Sequence, residues 1–301
     1  MDPNVELGDF LRSRRARLRP EEVGVVLGAG GVRRVPGLRR EEVAHLAGVS
    51  ADYYTRLEQG RHPHVSDAVL TAVARALRLD DVERGYLFEL VRPAPARRRP
   101  EPPQRVRPEA HRMLEVLNDV SPALILNHRR DVLAANQLAR ALIRDFDALP
   151  VRERNLARHV LLDPAARDLY IDWDEVAQTF VANLRLAAGR RPDDPLLNEL
   201  IGELFVKLPE FNGWWATHRV GQCAHGVQRL RHPVVGELAL SHETLAFPAD
   251  PDQLLCLYTA EPGSPSAEAL RLLASWSAPD RPARTSASPP RPGQGMTTHR
   301  P

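Results

Sequence analysis

The sequence predicts a multi-domain protein, an all-α domain followed by a longer domain of mixed α+β character. Three observations carry this. Apolar residues recur at helical spacing from Glu6 to Leu90, and six prolines and six arginines interrupt that pattern from Arg92 to Pro108. Period-two alternation enters only beyond that break. A length of 301 residues suits about two domains.

A first helix is expected over Glu6–Leu18, with Leu7, Phe10, Leu11, Arg14 and Leu18 on its inner stripe. Pro20–Gly37 then reads as an insertion. Its Gly28-Ala29-Gly30-Gly31 cluster lacks both a Gly-Lys-Ser/Thr continuation and a strong preceding strand, so a flexible loop is favoured over a phosphate cradle. From Arg39 to Gly60 the pattern is two short helices and a tight turn. Val43, Ala44 and Ala47 make the first inner stripe, and Gly48 stops that helix because glycine enters the left-handed region at little cost. Val49 plugs the angle, and Ser50 is placed to cap a second helix, Ala51–Gln59, with Tyr54 and Leu57 inward. Small Ala44 and Ala47 let the helices cross closely. Ser66 caps a fourth helix running to about Leu77, and Asp80 with Glu83 opens a fifth ending near Leu90.

Residues 93–108 read as a stiff, charged linker. Beyond it, Ala123–Leu126 and Val132–Ala134 form a strand hairpin around Asn127–Asp131, and a helix follows from Asn136 to Phe146. Further helices are expected over Asp163–Leu169, Trp173–Ala188 and Leu196–Val206. Three strands come next, Val227–Arg231, Val234–Ala246 and Gln253–Thr259. Leu238, Leu240 and Leu245 are expected on a dry face, with Glu237, Ser241 and Glu243 on a wet one. A last helix spans Ala267–Trp276, and residues 278–301, rich in Pro, Ser, Arg and Thr, are expected to be disordered.

The crossed pair Arg39–Gly60 is the geometry that sets the outer face of a second helix into a DNA major groove. Residues 6–90 resemble a Cro/repressor-type (XRE) helix-turn-helix domain, which implies a lambda-repressor-like fold. The segment VPGLRREEVAHLAGVSADYYTRLEQGR (Val35–Arg61) is similar to the bacterial MmyB-like regulators. That resemblance implies a transcription factor whose second domain, about residues 109–277, is a PAS-like ligand-binding domain. It places base-reading positions on Ala51, Asp52 and Arg56 and phosphate contacts on Arg40, Ser50 and Arg61, with Thr55 on the same helix. It also makes Arg15 the buried partner of Glu58. Asp52 can accept from cytosine N4, and Arg56 can donate to guanine N7 and O6.

The net charge of +2 does not by itself indicate nucleic acid, but its distribution does more. Residues 1–105 hold 19 arginines against 15 acids, and Arg12–Arg40 holds nine arginines against Glu21 and Glu22. Arg33 and Arg34 on the insertion extend this basic strip toward a DNA backbone. Lys207 is the only lysine, a bias in keeping with a GC-rich bacterial genome. Neither an apolar leader nor a membrane-length apolar run is visible, so a cytoplasmic protein, nucleoid-associated when bound, is expected. Cys223 and Cys256 lie too far apart in sequence to suggest a disulfide framework.

For the second domain the expected ligand is a small apolar effector, fatty-acid-like or carboxylate-bearing. Phe180, Trp214, Trp215 and Tyr258, with Trp173 and Phe211, are candidates to line its cleft; each can equally be core. Arg185 can pair a ligand carboxylate or an internal acid such as Glu203, and His218 can join it or bond backbone. Enzyme readings have little support. Cys223 and His225, two apart, face away from each other, and no metal or nucleophile-elbow motif occurs, so no catalytic residue, metal or cofactor is expected. The rival class is a DNA-binding or protein-interaction module without a small-molecule ligand. One recognition helix reads few base pairs, so a homodimer on an inverted repeat of double-stranded DNA is expected. The proline-rich linker should not pass rotation as a helical rod would. Signalling is therefore expected to reposition the paired sensor domains while leaving each reading head unaltered.

Overall fold

The computed structural model describes residues 3–24, 37–61, 65–92, 104–221 and 224–277. The Gly28–Gly31 cluster with Arg33 and Arg34, most of the linker, Cys223 and the tail lie outside the described residues.

Amphipathic spacing builds the first unit: α1 (Pro3–Arg17), α2 (Arg40–Ala47), α3 (Ala51–Glu58), α4 (Asp67–Ala76) and α5 (Asp81–Val91). Its core joins Phe10 and Leu11 of α1, Val43 of α2, Tyr54 and Leu57 of α3, Leu70 and Val73 of α4, and Tyr86 and Leu87 of α5. The turn chemistry is as the sequence indicates. Gly48 closes α2 at φ +67°, Ser50 Oγ accepts from Tyr53 N at 3.1 Å, and Ser66 Oγ accepts from Val69 N at 3.3 Å. Asp80 and Glu83 form a reciprocal capping box at the start of α5.

The second unit is α+β. It runs α6 (Pro108–Val116), β1 (Ala123–Asn127), β2 (Val132–Ala135), α7 (Gln137–Leu142), α8 (Leu156–Leu162), α9 (Pro164–Leu169), α10 (Trp173–Arg190), α11 (Pro195–Lys207), α12 (Pro209–Ala216), β3 (His225–His232), β4 (Gly236–Phe247), β5 (Asp250–Thr259) and α13 (Pro265–Ser277). The five strands form one antiparallel sheet in the order β2-β1-β5-β4-β3. One face, carrying Leu124, Leu126, Leu230, Leu238, Leu240, Cys256 and Tyr258, packs against the helical layer. On the other face Ala123, Ile125 and Leu255 are covered by Ala110 and Leu114 of α6. Asn136 fastens the hairpin: its side chain accepts from Ala123 N and Ala139 N and donates to Ser121 O.

Several expectations need correction. Leu245 is 49% exposed. It sits an odd number of residues from Leu238 and Leu240, so the pleat turns it to the outer face with Glu237, Ser241 and Glu243. The helix expected over Asn136–Phe146 stops at Leu142, and β4 starts at Gly236, since Pro233–Val235 belong to the hairpin turn before it. Helices α6, α8 and α12 were not anticipated. Pro108 and Pro209 start helices, because proline's missing N–H is harmless in the first turn.

Candidate nucleic-acid interface and effector domain

The recognition pair is locked from inside and open outside. Tyr54 and Leu57 of α3 are buried, while Ala51, Asp52 and Arg56 are exposed and Thr55 is half-buried. Asp52 and Arg56 lie one turn apart on the same outward face. Arg61 is exposed just beyond Gly60, whose φ of +67° ends the helix. Ser50 uses an oxygen lone pair in its cap and keeps its hydroxyl hydrogen for another acceptor.

Beneath α3 lies a charge cluster. Glu58, with a fully buried side chain, accepts from Arg15 Nε and Nη2, both at 3.1 Å, and from Arg40 Nε and Nη2 at 3.1 and 3.0 Å. Arg15 also donates to Leu38 O at 2.7 Å. The Arg15–Glu58 pairing implied by family resemblance is thus present, and Arg40, half-exposed, is oriented by the same carboxylate. The N-terminal half of α1 meets α3 without clearance. A Cβ on Gly8 would lie 2.5 Å from Glu58 O, and one on Gly60 would lie 2.7 Å from Asn4.

In the second domain the aromatic candidates separate. Trp173 is buried, donates from Nε1 to Val160 O at 2.7 Å, and meets Trp214 at 5.8 Å between ring centroids. Phe211 stacks on Trp215 at 5.3 Å, with Phe205 edge-on to both. Tyr258 is buried on the helix-facing side of β5, and Phe180 is half-buried on α10 against the same core. An open cleft of about 300 Å³ lies between α8–α9 and α11–α12, lined in part by Leu161, Leu162, Pro164, Arg167, Leu208 and Glu210. The Arg167 guanidinium lies 3.9 Å over the Trp173 ring and pairs with Glu210 at 3.2 Å.

Arg185 and His218 turn elsewhere. Arg185, 2% exposed, crosses to the first domain, where Nη1 pairs with Glu6 of α1. Its Nη2 donates to Trp215 O, and its plane lies 4.4 Å over the Trp215 ring. Glu203, the internal acid suggested by sequence, instead takes Arg158 and Lys207. His218 places Nδ1 3.5 Å from Glu6, and its carbonyl accepts from Arg14 Nη2. Tyr86 Oη donates to Glu6 at 2.9 Å. Burial alone would raise the Glu6 pKa. His218, the charge and hydrogen bond of Arg185, and Tyr86 together outweigh it and hold the carboxyl at about 2. Burial lowers Arg14 to about 10 against the opposing pull of Glu83, 3.0 Å away.

Apolar contacts complete this seam. Leu186 and Val220 of the second domain belong to the core of the first, and a Cβ on Gly189 would collide with the Tyr86 ring at 2.2 Å. The sequence hinted at the cluster through Arg14 within an apolar stripe and Arg185 on a buried helix face, with His218 beside it, but not at their pairing. Glu6, Tyr86 and Gly189 gave no hint that could be read locally.

Residues 6–87 match a helix-turn-helix domain family, and residues 106–273 match the MmyB-like transcription regulator ligand binding domain. No curated protein matches the chain. No helix among the described residues is long and apolar enough to cross a membrane.

Proposed function

Because the chain belongs to the MmyB-like transcription regulators, we propose that it reads a specific operator through α3 and binds a small apolar or carboxylate-bearing effector in its second domain. The observation that carries the first half is the two-sided character of α3. Its inner face is fixed by Tyr54, Leu57 and the Glu58 cluster, so the polar outer face is held in one orientation. Ala51, Asp52, Thr55 and Arg56 are assigned to base edges and Arg40, Ser50 and Arg61 to phosphates. A homodimer on an inverted repeat is proposed because one helix covers few base pairs, and the proposed place of action is the bacterial cytoplasm, at the nucleoid when bound.

The effector reading is supported by the cleft beside Arg167, whose guanidinium covers the Trp173 ring that in turn meets Trp214. Its volume is at the small end for ligand sites, suiting one apolar group. Phe180, Trp214 and Tyr258 remain the proposed contacts of the effector, and Arg167 and Lys207 are the cations that border the cleft itself. Arg185 and His218 are left to the seam.

Selection of bound sequences from random DNA by the full chain tests the first half. On the selected site Arg56→Ala should cost about 1–3 kcal/mol and relax one base position, whereas Arg61→Ala should weaken all sequences and lower the salt slope by about one. Unchanged sequence preference in Arg56→Ala would remove the base-reading assignment. Organic extraction of purified protein, followed by mass spectrometry, tests the second half. The expected result is a lipid-like molecule retained by the wild type and lost in Trp214→Ala.

A further inference from the structure

We propose that α1 is the transmission element between the two domains: the effector domain grips one side of it through Glu6 and Arg14, and its opposite side fixes the recognition helix. The proposal deepens the regulator reading above and rests on it for the role of α3.

Helical geometry sets out the two sides. At 100° per residue, Glu6 and Arg14 lie within a quarter turn of each other, while Gly8, Arg12 and Arg15 cluster roughly opposite. The first side meets the effector domain. Glu6 is held by Arg185 of α10 and faces His218 after α12, and Arg14 donates to the His218 carbonyl. The second side meets α3. Arg15 and Arg12 lie against Glu58, the Arg12 contact at 3.9 Å, and Gly8 leaves no space between α1 and the α3 backbone. No flexible segment intervenes between these two sets of contacts, because both belong to one continuous helix.

The grip is specific to one position of α1. Arg185 is anchored within its own domain by the Trp215 carbonyl and ring, so it presents Nη1 at a fixed place. Tyr86 seals Glu6 from the α5 side and itself rests against Gly189, one turn beyond Arg185 on α10. A shift of α10 or α12, the helices that also carry Phe180, Trp214 and Trp215, therefore draws Glu6 with it. Packed elements do not deform continuously, so α1 must move as a body or the ion pair must break. Since Ala51, Asp52 and Arg56 stay exposed in this arrangement, the grip changes the pose of the reading face without covering it.

Hydrogen–deuterium exchange on the full chain, without DNA or effector, tests the transmission directly. Arg185→Met removes the ionic grip, and Gly189→Ala pushes on Tyr86 without touching any charge. Each should speed exchange of the α3 amides at least tenfold, although neither residue contacts α3. Leu204→Ala, in the effector-domain core away from the seam, should leave the α3 rates at wild-type values. Exchange that quickens only within the effector domain in both seam variants would overturn the proposal. So would an equal effect of Leu204→Ala on α3, which would mark general unfolding. Should Arg185→Met fail to fold, Gly189→Ala carries the test, with Arg190→Ala, which loses the Glu89 pair across the same seam, as its milder companion. On a selected operator Gly189→Ala should shift affinity at least tenfold; a change under twofold alongside altered α3 exchange would reduce the seam to a structural joint and overturn the regulatory claim. Failure of the wild type to select any sequence would instead strike the DNA-reading assignment, leaving the exchange result to stand for the mechanical coupling alone.

Discussion

Replacing Glu58 by glutamine should unfold the DNA-reading domain far more readily than its near-identical size suggests. The carboxylate takes three donors on Oε1, from Arg15 Nη2 and from Arg40 Nε and Nη2, and one on Oε2, from Arg15 Nε. An amide offers one oxygen, so one guanidinium edge must face an NH2 group with nothing to accept it. Arg15 is 13% exposed and its partner 0%, so this pair counts as buried, and losing one side of such a pair costs about 3–5 kcal/mol. Arg40 is 46% exposed, and its share is under about 1 kcal/mol. The expected loss is therefore about 3–5 kcal/mol, a large part of a typical stability of about 5–15 kcal/mol. Urea unfolding of the full chain followed by circular dichroism reads it as a lowered midpoint at unchanged slope. Arg40→Ala should move the midpoint little while weakening DNA binding. A Glu58→Gln loss below about 1 kcal/mol would show that the cluster is hydrated and its arrangement incidental.

Gly48→Ala and Gly60→Ala share a φ of +67°, but only the second meets Asn4 at 2.7 Å, so Gly48→Ala should cost about 1–2 kcal/mol and Gly60→Ala clearly more in the same urea assay. Equal costs would mean that α1 does not press on the end of α3. Burial, and then the Arg144 charge, lower the pKa of His159 from 6.5 to about 4, so the folded state refuses a proton that the unfolded chain accepts. Stability from this group is whole above pH 6.5 and declines as the pH falls toward 4; about 2 kcal/mol should go between pH 6.5 and 5, and His159→Gln should flatten that slope. Glu6 also has its folded pKa depressed, and its contribution is lost only below about pH 4.5 as the pH falls toward 2, outside that window. Sedimentation should give a dimer on operator DNA; a monomer on a single half-site at micromolar concentration would remove the inverted-repeat proposal.

What was legible in the sequence was what is local. The turn at Gly48, the caps at Ser50, Ser66 and Asp80, and the stripe Leu7, Phe10, Leu11 and Arg14 each depend on residues within two helical turns. The second domain was harder, because apolar identity was read without strict parity: Leu245 looks like Leu240 yet points away from it. Pro108 reads as the end of the linker although it begins a helix, and the helix that starts at Pro209 was not expected at all. Arg185 was recognisable as an arginine on a buried helix face that needs a carboxylate. The identity of that carboxylate was not, since Glu6 lies 179 residues away and stands at a helix start where an acid is ordinary. Pairing of that kind leaves no periodicity to find.

The seam also bears on how an effector can act. The sequence alone suggested two domains joined by a stiff linker, with unaltered reading heads respaced by the effector domains. The buried contacts between α1, α5 and α10 make respacing by free separation expensive, for opening them returns the buried Leu186 and Val220 to water at about 1.5–3 kcal/mol for each side chain and gives up the Glu6 bonds to Arg185 and Tyr86 as well. An effector contributes only its differential affinity for two arrangements, and typical coupling energies are about 1–3 kcal/mol. That is too little to pull the domains apart, yet enough to choose between two docked positions that both keep the Glu6–Arg185 pair. Regulation within the docked state then works through small displacements of α1. The reading face moves by as much as Gly8 and Arg15 oblige it to, while the linker has only to tolerate the change.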